Sequence, residues 1–469
     1  MRTVPHFTRL FLTALVIGAM PARSQTAVNL EAITQRLERL EQQNTELLTE
    51  VRLLRQELTK AKQETPAGAL ERPAESASTA ARLEELEEKL EVQAGRVAEQ
   101  DQVKVETTHR VPVRLTGMAL FNLFSNTQHG GGADNPVVAS AASAPANSGA
   151  TLRQSVLGLE FEGPEAVLGG RFRGSFIMDA FGGDSEVLYQ TVRLRTAFIE
   201  GQWNSRSFLV GQEKPIFAPR EPNSLAQVGV SPLTAAGNLW RWRPQARFEQ
   251  RLTLGPGQEL SARIGVSQTY EEGARITPEL YSTLASKRPA LEGRFQFAHK
   301  FDDRRRIEIA PGFHVSQTHV AGASVPARAF SLDWFLNPIE RIEFTGAWFF
   351  GRNLAKLGGG GGGQGFTIVT VAPGQFRVIP VRTRGGWAQV TFVATPRLSF
   401  NLYGGEDDPN NFDLAPGGIA RNMAYAANIF YRLANNVVIG GEASQVRTWF
   451  LNGQRPLNNH YDLALAYLF

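Results

Sequence analysis

The hydrophobic and polar positions follow two different periods along the chain. Between residues 30 and 58, apolar side chains recur at alternating steps of three and four, which is the heptad spacing of a coiled-coil helix. Beyond Val111 the period becomes two, and successive short segments alternate apolar and polar residues up to the C-terminus. The sequence therefore predicts a helical N-terminal part followed by a large all-β region.

The first 24 residues have the pattern of a secretory signal peptide. Arg2 and Arg9 flank a stretch without acidic residues, an apolar run of eleven residues follows, and Ala22 and Ser24 place small side chains before a cleavage site at Gln25. A membrane anchor is the alternative, but it needs a longer apolar run, and no part of the chain approaches the roughly eighteen apolar residues of a membrane-spanning helix. We expect an exported protein.

A coiled coil is predicted over residues 25–64. Four heptads expose a stripe that a single helix cannot bury, so this segment implies self-association. Asn44 lies on the seam, where it would fix the register at a cost in stability; the alternative is a tolerated, surface-like Asn on a weakly associating helix. Residues 65–110 are predicted to be a linker with a second, short helical segment. The seam consists of Leu30, Ile33, Leu37, Leu40, Asn44, Leu47, Val51, Leu54 and Leu58.

Residues 111–469 are predicted to form about sixteen antiparallel strands. Their connections alternate between short turns and long loops, the latter at 125–150, 214–238, 271–289, 352–383 and 405–419. This alternation is typical of an outer-membrane barrel, which must close because hydrocarbon offers no partner for a free strand edge. The predicted fold class is an all-β transmembrane barrel in the bacterial outer membrane, preceded by an α-helical coiled coil in the periplasm.

The C-terminal strand carries a candidate assembly signal. Aromatic and apolar residues occupy every second position up to Tyr467, and the chain ends on Phe469. This pattern resembles the last-strand signal that the outer-membrane assembly machinery reads, so we expect that machinery to be a partner.

Two adjoining stretches carry a resemblance to a known family: RLRTAFIEGQW from Arg193 to Trp203 and FLVGQEKPIF from Phe208 to Phe217. With the signal peptide, the coiled coil and the barrel size, the chain resembles the DcaP-type porins, trimeric outer-membrane channels associated with dicarboxylates and other small anions. The resemblance implies a homotrimeric, passive channel. The chain is similar in general plan to phosphate-selective porins, but those line the channel with Lys, and only four Lys follow Val111. The glycine run 358–363 matches neither family and is expected to be a flexible exterior loop tip.

Arginine placement predicts a preference for anions. After Val111 the chain has 30 Arg and 4 Lys against 28 acidic residues, and the candidate Arg share the polar parity of their strands, opposite Phe, Val, Leu and Trp. Facing lipid at mid-depth would cost each Arg about 2–4 kcal/mol, so we expect them to face a watery lumen, where they concentrate and bind small anions. The predicted lumen residues are Arg171, Arg173, Arg193, Arg195, Arg241, Arg243, Arg247, Arg251 and Arg294.

Two features of the predicted channel, its third loop and its lumen Arg, each have an alternative interpretation. The third exterior loop, 214–238, is predicted to fold inward and place Lys214, Arg220 and Glu221 at a constriction, as in general porins; otherwise it is an ordinary exterior loop. The lumen Arg, in turn, could form salt bridges that only stiffen the wall. The partners in that case are Asp179, Glu200, Glu249 and Glu292.

No enzyme, cofactor or metal site is predicted. His314 and His319 flank Ser316, but their spacing places the two His on opposite faces of a strand, and no motif supports a hydrolase. The chain has no Cys, its candidate metal ligands lack suitable spacing, and export disfavours nucleic-acid binding despite a net charge of +4. The rival function is an outer-membrane anchor whose coiled coil contacts peptidoglycan. Outer-membrane lipid, lipopolysaccharide and small anionic solutes are the remaining expected partners.

The heptads and the family resemblance together predict that the mature chain is a trimer in detergent. Native mass spectrometry of residues 25–469 should give three times the chain mass, because three helices can bury the apolar seam that one exposes. A monomer would contradict the predicted homotrimer.

Overall fold

The computed structural model describes residues 113–131, 133–183, 190–269, 289–320, 323–372 and 375–469. The predicted signal peptide (1–24), the coiled coil (25–64) with Asn44, and the linker (65–110) lie outside the described residues. Within the described part of the chain, no helix is both long enough and apolar enough to cross a membrane.

Nineteen strands are present in the described residues, and all neighbouring pairs are antiparallel. They are β1 (Val113–Asn126), β2 (Asn147–Thr151), β3 (Val156–Ala166), β4 (Gly170–Gly182), β5 (Thr191–Gln202), β6 (Arg206–Glu213), β7 (Arg243–Gly255), β8 (Gln258–Ser267), β9 (Ala290–Lys300), β10 (Arg306–Val320), β11 (Ala323–Ile339), β12 (Ile342–Arg352), β13 (Phe366–Ala372), β14 (Gln375–Pro380), β15 (Arg382–Thr395), β16 (Leu398–Pro409), β17 (Ile419–Ala434), β18 (Val437–Phe450) and β19 (Leu457–Leu468).

Seventeen of these strands form one closed sheet with sixteen wall positions. The number is sixteen because β2 and β3 share one position in the wall. Strand β3 pairs with residues 113–118 of β1, and β2 pairs with residues 122–126. The barrel closes where β1 pairs with β19, from Met118 opposite Leu468 to Asn126 opposite His460. The predicted sixteen-stranded antiparallel barrel is thus confirmed, and β13 and β14 form a separate hairpin.

The connections differ in length between the two rims. The rim that holds Val113 and Phe469 has turns of two to five residues between consecutive wall strands, and we call it the short-turn rim. The opposite, long-loop rim carries residues 127–146, 214–242, 353–381, 410–418 and 451–456, together with a tight connection between β10 and β11. Hairpin β13–β14 lies within 353–381, where the sequence predicted only loop.

The barrel wall is apolar outside and polar or small inside. On β19, Tyr461, Leu463 and Leu465 are about half exposed on the outer face, whereas Asp462 and Ala464 between them are buried. The same period of two applies to the other wall strands, which leaves large apolar side chains exposed all round the cylinder. Such a surface is stable in hydrocarbon, where closure of the sheet supplies every backbone hydrogen bond.

The seam between the first and last strands requires a glycine. Backbone N–H groups of Gly117 and Phe469 each donate to the carbonyl oxygen of the other, at 2.9 and 3.1 Å. A Cβ at Gly117 would lie 2.7 Å from the Phe469 ring and 2.5 Å from the Val156 carbonyl oxygen. The terminal aromatic ring therefore lies over a position that has no side chain.

We predict that Gly117→Ala destabilises the folded barrel by about 1–3 kcal/mol, since the new methyl group meets backbone at less than contact distance. The measurement is the folded fraction in a urea titration, determined from the gel shift of unheated samples. Gly441→Ala is the control, because its Cβ would meet only Ile429, at an ordinary 3.6 Å. Equal stability of the two variants would contradict the role of Gly117.

Candidate functional site

Loop 3, defined here as residues 214–242 between β6 and β7, lies inside the barrel. Near its start, the Ile216 N–H donates to Glu292 on β9 at 2.9 Å. Arg220 then forms 2.5 Å ion pairs with Glu308 on β10 and Asp333 on β11. All three acceptors lie on the inner face of the wall, so the loop enters the lumen along β9–β11.

The middle of loop 3 contacts the opposite part of the wall. The Asn223 N–H donates to Gln389 of β15 at 2.7 Å, and the Ser224 hydroxyl donates to Glu442 of β18 at 2.6 Å. The Leu225 carbonyl accepts a 2.9 Å hydrogen bond from the side chain of Asn122 on β1. Loop 3 therefore crosses the bore from one side to the other.

Side-chain amides hold the loop there, in a set that we call the amide wall. Gln154, in the break between β2 and β3, donates to the Ala226 carbonyl at 2.8 Å and accepts from the N–H groups of Val228 and Gly229 at 2.8 and 2.9 Å. A buried amide can satisfy several backbone groups at once, and so replaces the partners that the loop would otherwise find in water. The amide wall consists of Asn122, Gln154, Gln389, Asn422 and Asn428.

The loop 127–146 at the long-loop rim, between β1 and β2, is held by the same wall. Asn422 donates to the carbonyl oxygens of Val137 and Ala235 at 3.0 Å each, and so links this loop to loop 3. Asp134 in the loop lies 3.6 Å from Arg153, and burial raises the pKa of its carboxyl group although the nearby guanidinium opposes that change. These contacts fill the lumen along β15–β19 and β1.

The glycine run is a packed structure, and its prediction as a flexible loop tip is wrong. Gly358, Gly360 and Gly361 are buried with φ of 113°, 76° and 63°, which residues with a Cβ rarely adopt. A Cβ at Gly358 would lie 2.7 Å from the Asn238 carbonyl of loop 3. The segment thus fits closely against loop 3 because it lacks side chains.

An apolar cluster joins this segment to both ends of loop 3. Leu354 and Leu357 pack with Phe217, Leu239 and other buried residues of the cluster. These side chains are almost fully buried, which stabilises each by about 1.5–3 kcal/mol relative to exposure. Loop 3 is therefore fixed at its ends by apolar contacts and along its middle by amides.

On β4 and β5, the predicted lumen residues Arg173, Arg193 and Arg195 face inward and are paired with carboxylates. Arg173 bonds Glu200 at 2.5–2.8 Å. Arg193 binds both oxygens of Asp179, at 3.2 and 2.8 Å, and Arg195 lies 3.5 Å from the same carboxylate. Two guanidinium groups thus share one acid, while the Arg173 side chain remains 51% exposed.

A β-bulge on β5 reverses which side chains of that strand face the lumen. The β4–β5 register skips Arg195, with Met178 opposite Leu194 and Ile177 opposite Thr196, so Phe198 faces inward rather than outward as the alternation predicted. The Arg173 guanidinium lies 5.9 Å from its ring. An inserted residue reverses the parity of everything after it.

Trp240 and Trp242 also lie inside, contrary to the predicted outward parity. Strand β7 begins only at Arg243, so both Trp belong to loop 3. The Trp242 ring lies 5.2 Å from Arg193 and 4.8 Å from Arg195, a cation–π arrangement that orders both guanidinium groups.

The other candidate Arg have different surroundings. Arg243 is buried and donates to the carbonyl oxygens of Gln268 and Lys356, at 3.2 and 2.7 Å. Arg294 is buried and binds both oxygens of Asp333 at 2.7 Å. Arg243 and Arg294 therefore stabilise the fold of the lumen wall and its loops.

The remaining three positions on the strands are more accessible. Arg171 is exposed near the short-turn rim, and Arg247 and Arg251 are partly exposed on β7 near Glu249. Arg241 lies in loop 3, where its backbone N–H donates to a carbonyl oxygen of the 353–381 loop.

Lys214 and Glu221 of loop 3 form a close ion pair, and the second Glu221 oxygen accepts from Ser231 at 2.7 Å. Both residues are partly exposed at a cavity of about 800 Å³ between loop 3 and strands β1–β6. Arg173, Arg195 and Trp242 border the same cavity. The structure therefore brings together part of the predicted Arg set and two of the three predicted constriction residues, with Arg220 instead bound to the β10–β11 wall.

A Ser–His–Glu arrangement on β9 and β10 was missed by sequence reasoning. His314 contacts Glu292 at 2.9 Å and Ser316 at 3.1 Å, because residues 314 and 316 share the inner face. All three are buried, and Glu292 also accepts from Ile216 and from Ser267. Burial and this full set of bonds indicate that the group positions the start of loop 3. The described residues contain no group of three or more metal ligands.

Comparison with protein-family models and with curated protein sequences finds no match. Among solved structures, the outer membrane channel DcaP of Acinetobacter baumannii matches with a TM-score of 0.60 and 17% identity, covering 76% of this chain and 97% of that one. The chain has the fold of the DcaP channel. The anion-selective porin from Comamonas acidovorans also matches, with a TM-score of 0.49 and 11% identity over 76% of this chain and 100% of that one.

The two stretches that carried the resemblance lie on neighbouring strands and at the start of loop 3. Arg193 to Trp203 covers β5, and Phe208 to Phe217 covers most of β6 and the start of loop 3. The predicted resemblance is confirmed at the level of fold, and both stretches border the cavity described above.

We predict that Gln154→Leu loosens the middle of loop 3. The change removes the acceptor of two buried N–H groups, at about 1–3 kcal/mol for each unsatisfied group, so hydrogen exchange at Val228 and Gly229 should rise about tenfold or more. Gln317→Leu is the control, because Gln317 bonds Ser324 on the exposed face, away from loop 3. Unchanged exchange in Gln154→Leu would rule out this anchor.

Proposed function

We propose that this chain is an outer-membrane porin through which small solutes diffuse passively, with a preference for anions. The observation that carries the proposal is the cavity of about 800 Å³ between loop 3 and strands β1–β6, which is bordered by Arg173 and Arg195. The fold shared with a protein described as an outer membrane channel supports this function.

The expected preference is modest because acidic residues accompany the arginines. Glu200 and Asp179, which are partners in the salt-bridge alternative, and Glu221 of loop 3 neutralise much of the positive charge along the cavity. Arg173 is half exposed and can still contact a passing anion through N–H groups that Glu200 does not occupy. Low-dielectric walls extend the reach of such a charge across a narrow bore.

The remaining predicted partners belong to the same proposal. We place the barrel in the bacterial outer membrane as a homotrimer, with the short-turn rim and coiled coil on the periplasmic side and peptidoglycan as a further contact of the coil. Tyr467 and Phe469 would be read by the assembly machinery before Phe469 packs against Gly117. Lys214 and Glu221 would border the narrowest part of the path, while Arg220 holds loop 3 in place.

We predict that two neighbouring substitutions shift ion selectivity in opposite directions. Arg173→Ala removes a positive charge and should lower anion over cation permeability, whereas Glu200→Gln should raise it. A unit charge about 7 Å from an ion in water is worth about 0.6 kcal/mol, or roughly a threefold change in local anion concentration. The measurement is the reversal potential of reconstituted channels in a KCl gradient.

The control for these variants is Arg304→Ala, since Arg304 lies in an exposed turn paired with Glu340. Unchanged selectivity in both lumen variants would contradict the anion preference. A wild-type chain that inserts into bilayers without conducting would favour the anchor alternative instead.

A further inference from the structure

The outer face of the barrel carries a groove whose floor has almost no side chains. Gly386, Ala388 and Gly404 form the floor across β15 and β16, and its volume is about 630 Å³. Trp348 borders it on one side and Tyr425 on the other. On the same outer face, Phe350, Phe392 and Leu402 project outward and are about half exposed.

The groove lies in the half of the wall next to the long-loop rim. Strand β15 starts at that rim with Arg382 and β16 ends there with Pro409, so residues 384–388 and 404–408 are close to it. If the barrel spans the outer membrane as proposed above, this half faces the outer leaflet. The inference below rests on that location.

Two arginines on the outer face lie at the rim end of the groove. Arg384 bonds Asp408 through Nε and Nη2, at 3.0 and 2.9 Å, and Arg421 pairs closely with Glu406. Charged side chains on a lipid-facing strand are tolerated only near the interface, so these pairs mark headgroup depth. A guanidinium has five N–H donors, and Asp408 occupies only one edge of Arg384, which leaves donors for a phosphate.

We propose that the groove binds one acyl chain of lipid A, the phosphorylated lipid of lipopolysaccharide, with its phosphate at Arg384 and Arg421. An acyl chain is narrow enough to lie between Trp348 and Tyr425 against the glycine floor. A second copy of the barrel is a poorer occupant, because its wall would place apolar side chains against the two ion pairs.

The test uses the full mature chain, delipidated in detergent and then incubated with lipid A, with retained lipid counted by native mass spectrometry. Ala388→Phe fills the groove, and Arg384→Gln with Arg421→Gln removes the phosphate contacts. Each variant should weaken lipid A retention by about tenfold, the expected effect of losing a charged contact or the apolar seat. Ala427→Phe, on the outer face of β17 beyond the groove, and Arg304→Gln, an arginine paired with Glu340 at the other rim, are matched controls.

Equal retention in all variants would overturn the lipid site. Loss of the oligomer in Ala388→Phe, with lipid retention unchanged, would also overturn it and assign the groove to a second copy. Channel conductance is recorded for the same samples. A chain that retains lipid A in the groove but does not conduct would contradict the porin proposal and leave the lipid site supported.

Discussion

The structure depends on closing one antiparallel sheet so that no strand edge meets hydrocarbon. Each unpaired backbone group in lipid costs several kcal/mol, and the β1–β19 seam removes the last edge. Gly117, which has no side chain, leaves room for the terminal Phe469 ring at the seam. Once the cylinder is closed, its outer face must be apolar, and polar side chains and long loops are confined to the interior and the rims.

The interior is divided by chemistry into two parts. Along β15–β19 and β1, uncharged amides such as Asn428 and Asn422 hold loop 3 and the 127–146 loop through hydrogen bonds to backbone carbonyl groups. Along β3–β6, guanidinium and carboxylate groups line a cavity that the loops leave open. The first part fills the bore and the second lines the proposed path, so polar side chains stabilise the loops on one side of the lumen and would contact solutes on the other.

Sequence alternation predicted nearly every wall strand, because period two is imposed by the hydrocarbon on one face and the polar lumen on the other. It failed where an added residue or a late strand start changes the parity, as at Arg195 and at Trp242. It also missed the Ser316–His314–Glu292 group, because Glu292 comes from the neighbouring strand. The glycine run was misjudged because a positive φ and close packing leave no trace in composition. The amide wall could have been predicted from Asn and Gln residues at inward-facing positions of the strands, such as Asn422 and Asn428.

In the proposed channel, solutes pass on the arginine side of loop 3 and not on the amide side. The chain has no Cys, so single cysteines can be introduced without background. Conductance of Arg173→Cys and Asn428→Cys channels should be recorded before and after an anionic methanethiosulfonate reagent. We expect a stable drop in conductance for the cysteine at 173 and none for the cysteine at 428. A drop at 428, or no drop at 173, would contradict this path.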